Sequence, residues 1–277
     1  MAALPPYVGP LGRAWHYGFH LYCGLVLLFL ITPILVIVPL SFNAEPYFTY
    51  PMPGFSLRWY EDFWQSEMWT RAIRNSVIIG VAATILATTL GTLAALGLAR
   101  PGLPYKGVIM GVLISPIIVP LVITAVGMYF FYSALGLANS LPGIILAHTA
   151  LGTPFVVITV TATLVGFDYS LVRAAQNLGA SPARTFFKVQ MPLILPGVIS
   201  GALFAFITSF DEVVVVLFLA SIEERTIPRQ MWSGIREQIS PTILAVATIL
   251  ILISILLLAT LELLRRRNER LRGISPT

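Results

Sequence analysis

Residues Asp168 to Pro192 read DYSLVRAAQNLGASPARTFFKVQMP, the one polar, helix-forming segment set among six long apolar runs. Asp168 can accept hydrogen bonds from free amides at a helix start, and Tyr169 to Leu178 contains neither proline nor glycine. Gly179 permits the left-handed conformation that closes a helix, and Ser181-Pro182 supplies an N-cap followed by a first-turn proline. The segment therefore predicts helix, bend, helix. Leu171, Ala174, Ala175 and Leu178 fall at i, i+3, i+4 and i+7 on one face, where the two alanines let the walls of a partner approach closely.

The surrounding chain is built for lipid. Of its 277 residues 57% are hydrophobic and 10% charged, and the mean hydropathy of +0.87 lies far above that of a water-soluble domain. A spanning helix needs roughly 20 mainly apolar residues because lipid offers backbone groups no partner. The runs Leu21 to Leu40, Ser76 to Leu98, Val108 to Tyr132, Pro142 to Val165, Leu195 to Ala220 and Pro241 to Leu264 meet that length. The expected fold is an all-α polytopic membrane protein of six spans. It has an amino-terminal segment 1–20, a membrane domain 21–264 and a basic tail 265–277. The first run exceeds the roughly 7–15-residue core of a signal peptide, and Phe42 spoils the small-residue pattern before Ala44, so it reads as an uncleaved span.

Lysine and arginine positions orient the bundle. With both ends in the cytoplasm, the inner side holds Arg13, Arg100, Lys106, Arg173, Arg184, Lys188, Arg265, Arg266, Arg267, Arg270 and Arg272. The outer side holds Arg58, Arg71, Arg74, Arg225, Arg229 and Arg236. This asymmetry satisfies the positive-inside rule and puts segment 168–192 in the cytoplasm. The net charge of +5 follows topology rather than forming a groove, which argues against nucleic acid as a partner.

The external loop 43–75 carries Pro46, Pro51 and Pro53, then SLRWYEDFWQSEMW. Leu57, Tyr60, Trp64 and Met68 recur at helical spacing and predict an amphipathic helix at the outer interface. Pro33, Pro116, Pro120 and Pro154 lie inside apolar runs, where each removes a backbone donor and can kink a helix. The pairs Gly107/Gly111 and Gly197/Gly201 have the spacing that allows close helix contact.

Asp211 and Glu212 are the carboxylates set well inside an apolar run. A charge near the bilayer centre is unfavourable by roughly 2.5–3.5 kcal/mol on insertion scales, so such residues face a cavity, a partner or a pathway. On a continuous helix adjacent residues point about 100° apart, which assigns the pair different roles. Asp211 is expected about 24 Å along the fifth helix, in its outer half, lining a path for cations. Glu212 is expected to meet a partner subunit or a nearby polar group.

Other chemistry finds little support. Cys23 is the single cysteine and reads as a small hydrophobe, so no disulfide framework or metal site follows. His16 and His20 stand at i and i+4 without an acidic or cysteine partner nearby, and His148 reads as a hydrogen-bonded helix residue. An aspartyl intramembrane protease needs facing carboxylates on different spans, and no G-x-S-x-G or H-E-x-x-H constellation occurs. A passive channel remains open on composition alone. No G-x-x-x-x-G-K-[ST] phosphate loop is present, so the chain cannot cradle ATP by that device.

Ala174-Ala175, three residues, Gly179, nine residues and then Val189-Gln190-Met191-Pro192 resembles the EAA loop of ABC importer permeases, Glu-Ala-Ala-x3-Gly-x9-Ile-x-Leu-Pro. The spacing agrees throughout, while Arg173, Val189 and Met191 replace glutamate, isoleucine and leucine. SLRWYEDFW, Asn75-Ser76, SFDEVVV and ISPTILAVAT extend the likeness toward the spermidine/putrescine branch. The resemblance implies a type I importer permease in a bacterial inner membrane. It would pair with a second permease, two copies of a cytoplasmic ATPase that binds the ATP, and a periplasmic substrate-binding protein. It further implies that Asp168, Leu171, Arg173, Ala174, Ala175, Leu178, Gly179, Ala180 and Ser181 couple to the ATPase. Related permeases carry polyamines, other amines, phosphonates or ferric ion, which leaves the substrate open.

Overall fold

The computed structural model describes residues 9–100, 102–237 and 240–271. Among them the regular structure is helical: α1 (Pro10–Leu40), α2 (Arg58–Gln65), α3 (Glu67–Leu98), α4 (Lys106–Ile118), α5 (Leu121–Ala134) and α6 (Leu141–Val165). There follow α7 (Ser170–Asn177), α8 (Pro182–Thr185), a π-helical turn (Phe186–Gln190), α9 (Met191–Phe210), α10 (Val214–Leu219), α11 (Ile227–Glu237) and α12 (Thr242–Leu271). Four helical stretches are long and apolar enough to cross a bilayer: Pro10–Leu40, Glu67–Leu98, Leu141–Val165 and Pro182–Phe210. The pair α4 and α5 has the composition of a fifth but is bent by 103°. The described apolar part of α12, Thr242–Leu256, is shorter.

The chain divides into two compact units, residues 67–233 and the terminal segments on either side of them. In the terminal unit α2 and α1 both pack on α12. The loop after α1 is tied by its side chains. Trp59 Nε1 donates to the Asn43 carbonyl at 2.7 Å, the Ser41 and Tyr60 hydroxyls meet at 2.6 Å, and Asn43 Nδ2 donates to the Tyr47 carbonyl at 2.9 Å. The expected interfacial helix is shorter than its pattern. Leu57 only precedes α2 and Met68 belongs to α3, while Trp59 and Phe63, on a different face, are the buried residues of α2. Their burial, with the Trp59 hydrogen bond, decides which face turns inward.

The central unit is built on α3, α6 and α9, each packed on the other two. Small residues set the spacing. A Cβ on Gly91 would lie 2.6 Å from Val156 Cβ, and one on Gly201 would lie 2.5 Å from Thr159 Oγ1 and 2.8 Å from the Val156 Cα. Gly197 and Gly201 thus form the close contact that their spacing predicts, whereas Gly107 and Gly111 face open space. His148 on α6 is 1% exposed and its Nδ1 lies 2.8 Å from Ser209 Oγ on α9, the hydrogen-bonded helix role expected for it. A second cluster joins α10 to α5 through Val215, Val216, Leu219, Ala125 and Tyr132.

Two apolar runs expected as continuous spans are interrupted. Pro116 and Pro120 lack the amides that the α4 ladder would use, and the chain turns at Val119 and Pro120 into α5. Pro33 and Pro154, by contrast, stay inside α1 and α6. The run 195–220 ends as α9 at Phe210 and resumes as α10 at Val214.

Candidate functional site

The two interruptions line one cavity. It measures about 610 Å³ and is bounded by residues 116–121 of the α4–α5 break, Leu151 and Phe155 of α6, Ile207 and Thr208 of α9, and residues 211–214 of the α9–α10 break. Its walls are mainly aliphatic and aromatic, and its ionisable groups are Asp211 and Glu212. The structure thus brings together the two acids singled out in the sequence, but not as neighbours on a helix.

Asp211 terminates α9, its amide donating to the Ile207 carbonyl at 3.0 Å. Its side chain is exposed, and among the described residues its carboxylate takes part in no hydrogen bond or ion pair. Glu212 is its opposite, 5% exposed and consumed within the chain. Its carboxylate accepts from the amides of Val214 at 3.0 Å, Val215 at 2.9 Å and Val216 at 3.4 Å. In an unbroken helix those amides would bond to the carbonyls of residues 210, 211 and 212. Glu212 takes their place, which stops the helix and supplies the first turn of α10 with its acceptors. Of the two expectations for Glu212, a partner subunit or a nearby polar group, its carboxylate meets the second, in the form of backbone amides of its own chain.

Segment 168–192 takes the predicted form. The Asp168 carboxylate accepts from the Ser170 hydroxyl at 2.7 Å and the Ser170 amide at 2.8 Å, and these bonds hold its pKa below the usual carboxylate range. Gly179 has φ of +81°. The Ala180 amide returns to the Ala175 carbonyl at 3.1 Å and the Gly179 amide to Gln176 at 2.9 Å, the bond pair of a Schellman closure. Ser181 then caps α8 through the Arg184 amide at 3.4 Å, with Pro182 at the first position. Leu171 and Ala174 of the predicted face are exposed, Ala175 is half-buried, and Leu178 is 88% exposed. Arg173, Arg184 and Lys188 are also exposed, as is Phe187 in the π-helical turn.

Comparison with known proteins fits this geometry. Residues 87–270 match the family described as binding-protein-dependent transport system inner membrane component. The chain belongs to this family. It is 33% identical over 241 residues to the spermidine/putrescine transport system permease protein PotC of Haemophilus influenzae, covering 87% of this chain and 93% of that one. It is also 33% identical over 231 residues to the putrescine transport system permease protein PotI of Escherichia coli K12, covering 80% and 82%. Among solved structures, a bacterial ABC transporter involved in import of the acidic polysaccharide alginate aligns with a TM-score of 0.72 at 16% identity, covering 95% of this chain and 99% of that one. The protein is thus a permease subunit of an ABC importer in the inner membrane, a transport subunit rather than an enzyme.

Two features carry more structure than the sequence revealed. Asn75 Nδ2 donates to the carbonyls of Glu223 at 2.8 Å and Arg225 at 3.1 Å, and the Ile227 amide donates to Ser76 Oγ at 2.8 Å. With an ion pair between Arg71 and Glu223, this dipeptide staples the loop after α10 to the start of α3. The proline pair four residues apart at Pro116 and Pro120 marks the other, since two missing amides on one helix side announce a break rather than a kink.

Proposed function

We propose that this permease forms half of a pathway for a small organic cation, a polyamine such as putrescine or spermidine. The observation that carries the reading is the unpartnered Asp211 carboxylate at an otherwise apolar cavity where two broken helices meet. A carboxylate in an otherwise apolar wall attracts ammonium groups, while aliphatic and aromatic neighbours suit the methylene chain between them. PotC and PotI, permeases of spermidine/putrescine and putrescine transport systems, agree with it. The alginate importer shares the fold while handling a polyanion, so the architecture by itself carries no substrate preference. A phosphonate would be repelled by Asp211, and a ferric ion calls for several anionic ligands where the cavity offers one free carboxylate.

In this reading the chain crosses the membrane six times with both ends cytoplasmic, counting the bent pair α4–α5 and α12 as spans. A second permease completes the pathway, and a periplasmic binding protein delivers substrate. Two copies of a cytoplasmic ATPase bind and hydrolyse the ATP. Segment 168–192 is the lever they grip: Leu171, Ala174 and Leu178 enter an apolar cleft, and the Gly179–Ala180 closure and Ser181 cap fix the lever's shape. ATPase closure then moves α6 and α9 between inward-open and outward-open arrangements of different substrate affinity. The test is uptake by inverted-free, right-side-out membrane vesicles carrying the complete importer and offered labelled putrescine, spermidine, methylphosphonate and ferric ion. ATP-dependent accumulation of the amines is expected; accumulation of phosphonate or iron instead overturns the assignment.

The lever is tested separately. Arg173 is exposed where the family pattern has glutamate, so its contact on the ATPase is acidic. Arg173→Glu is expected to reduce the ATPase retained on co-purification several-fold, and unchanged retention removes Arg173 from the contact. The Cβ of Gly179→Val meets no neighbour within 4 Å, so the expected effect is the penalty of about 1–2 kcal/mol for a left-handed non-glycine residue. Lower ATP-dependent uptake with normal membrane yield is the expected result.

A further inference from the structure

We infer that the cavity binds an ammonium group from two sides, with Asp211 on one and the unpaired main-chain carbonyls at the end of α4 on the other. This rests on the polyamine reading above and adds the hydrogen-bond acceptors that recognise N–H groups rather than charge alone.

Helix α4 ends in a way that leaves main-chain acceptors without donors among the described residues. The Val119 amide bonds to the Ser115 carbonyl at 2.9 Å, the last bond of the ladder. The next amide would belong to residue 120, but Pro120 has none, so the carbonyl of Pro116 has no donor four residues ahead. The 103° turn into α5 then carries the amides of Leu121 and Val122 away from the carbonyls of Ile117 and Ile118. Helix carbonyls point along the axis past the C-terminal end, where they make a partial negative charge. Residues 116–118 line the same cavity as Asp211, and Ile118 is 72% exposed.

The two sides differ in what they select. Asp211 attracts any cation. The carbonyls reward a group that donates hydrogen bonds, which a primary or secondary ammonium does and a fully methylated one does not. Leu151, Phe155 and Ile207 line the same cavity and offer an apolar wall for the alkyl chain. Glu212 adds negative field but spends its oxygens on backbone amides, so the second set of acceptors comes from α4.

Cysteine protection in the assembled transporter, on a Cys23→Ser background, distinguishes this site from the simpler reading. Thr208→Cys reports the Asp211 side and Ile118→Cys the α4 side, with 2-aminoethyl methanethiosulfonate as the reagent and putrescine as protectant. Protection at both positions is expected. Protection at position 208 alone overturns the two-sided site and leaves Asp211 standing, and protection at neither takes the cavity reading down as well. Pro120→Ala, combined with Thr208→Cys, restores an amide that pairs with the Pro116 carbonyl. The putrescine concentration for half-protection should rise about tenfold. An unchanged value shows that the carbonyls play no part. Should Pro120→Ala fail to assemble, the comparison of positions 118 and 208 still decides.

Discussion

Asp211→Asn is expected to lower ATP-driven putrescine uptake about tenfold or more, the size of losing a charge-assisted hydrogen bond. The substitution keeps the volume and one oxygen and removes the charge. Because the Asp211 side chain has no partner among the described residues, nothing in the fold depends on it. Membrane yield, partner assembly and ATPase retention should therefore match the wild type. Labelled putrescine uptake measured alongside co-purification checks both halves, and normal uptake by the variant removes Asp211 from the pathway. Glu212→Gln makes the informative contrast, since its carboxylate holds three amides and its loss is felt first as structure.

Gly201→Leu should prevent the central unit from packing. The new Cβ alone would sit 2.8 Å from the Val156 Cα, a backbone atom that cannot turn aside, and 2.5 Å from Thr159 Oγ1. Helix α9 would have to leave α6, undoing a core that holds Val156, Val160, Ile194 and Val198. Overpacking of this kind destabilises by about 1–3 kcal/mol or more. Most of the variant should be lost from the monodisperse fraction after detergent extraction, as read by fluorescence-detected size exclusion. Gly111→Leu is the control, because its Cβ meets nothing within 4 Å, and its yield should be unchanged.

These contrasts show where one-dimensional reading succeeds. Segment 168–192 was legible because each signal in it is local: Asp168 meets an amide two residues on, Gly179 needs only its own φ, and Ser181 caps a neighbour. The apolar runs were legible for the same reason, as length and hydropathy need no partner. The two breaks were obscured because hydropathy does not register a missing amide. Pro116 with Pro120 interrupts one run without lowering its apolar character, and Glu212 interrupts another by turning its side chain onto the backbone. Asp211 and Glu212 consequently differ far more than a 100° rotation on one helix implies. The stripe Leu57, Tyr60, Trp64 and Met68 misled because Ser66 divides it between two helices. Asn75 and Ser76 stood out only by resemblance, since their partners lie about 150 residues away. Identical spacing at Gly107/Gly111 and Gly197/Gly201 led to opposite outcomes because only the second pair meets another helix.

The central claim, that a separate ATPase drives this permease by gripping an exposed cytoplasmic lever, is tested most directly by Leu178→Cys on the Cys23→Ser background. In sealed membranes the thiol should react with a membrane-impermeant maleimide only when the cytoplasmic face is presented, and the bound ATPase should block that reaction. Labelling from the external face, or cytoplasmic labelling that proceeds equally with the ATPase bound, would contradict the account.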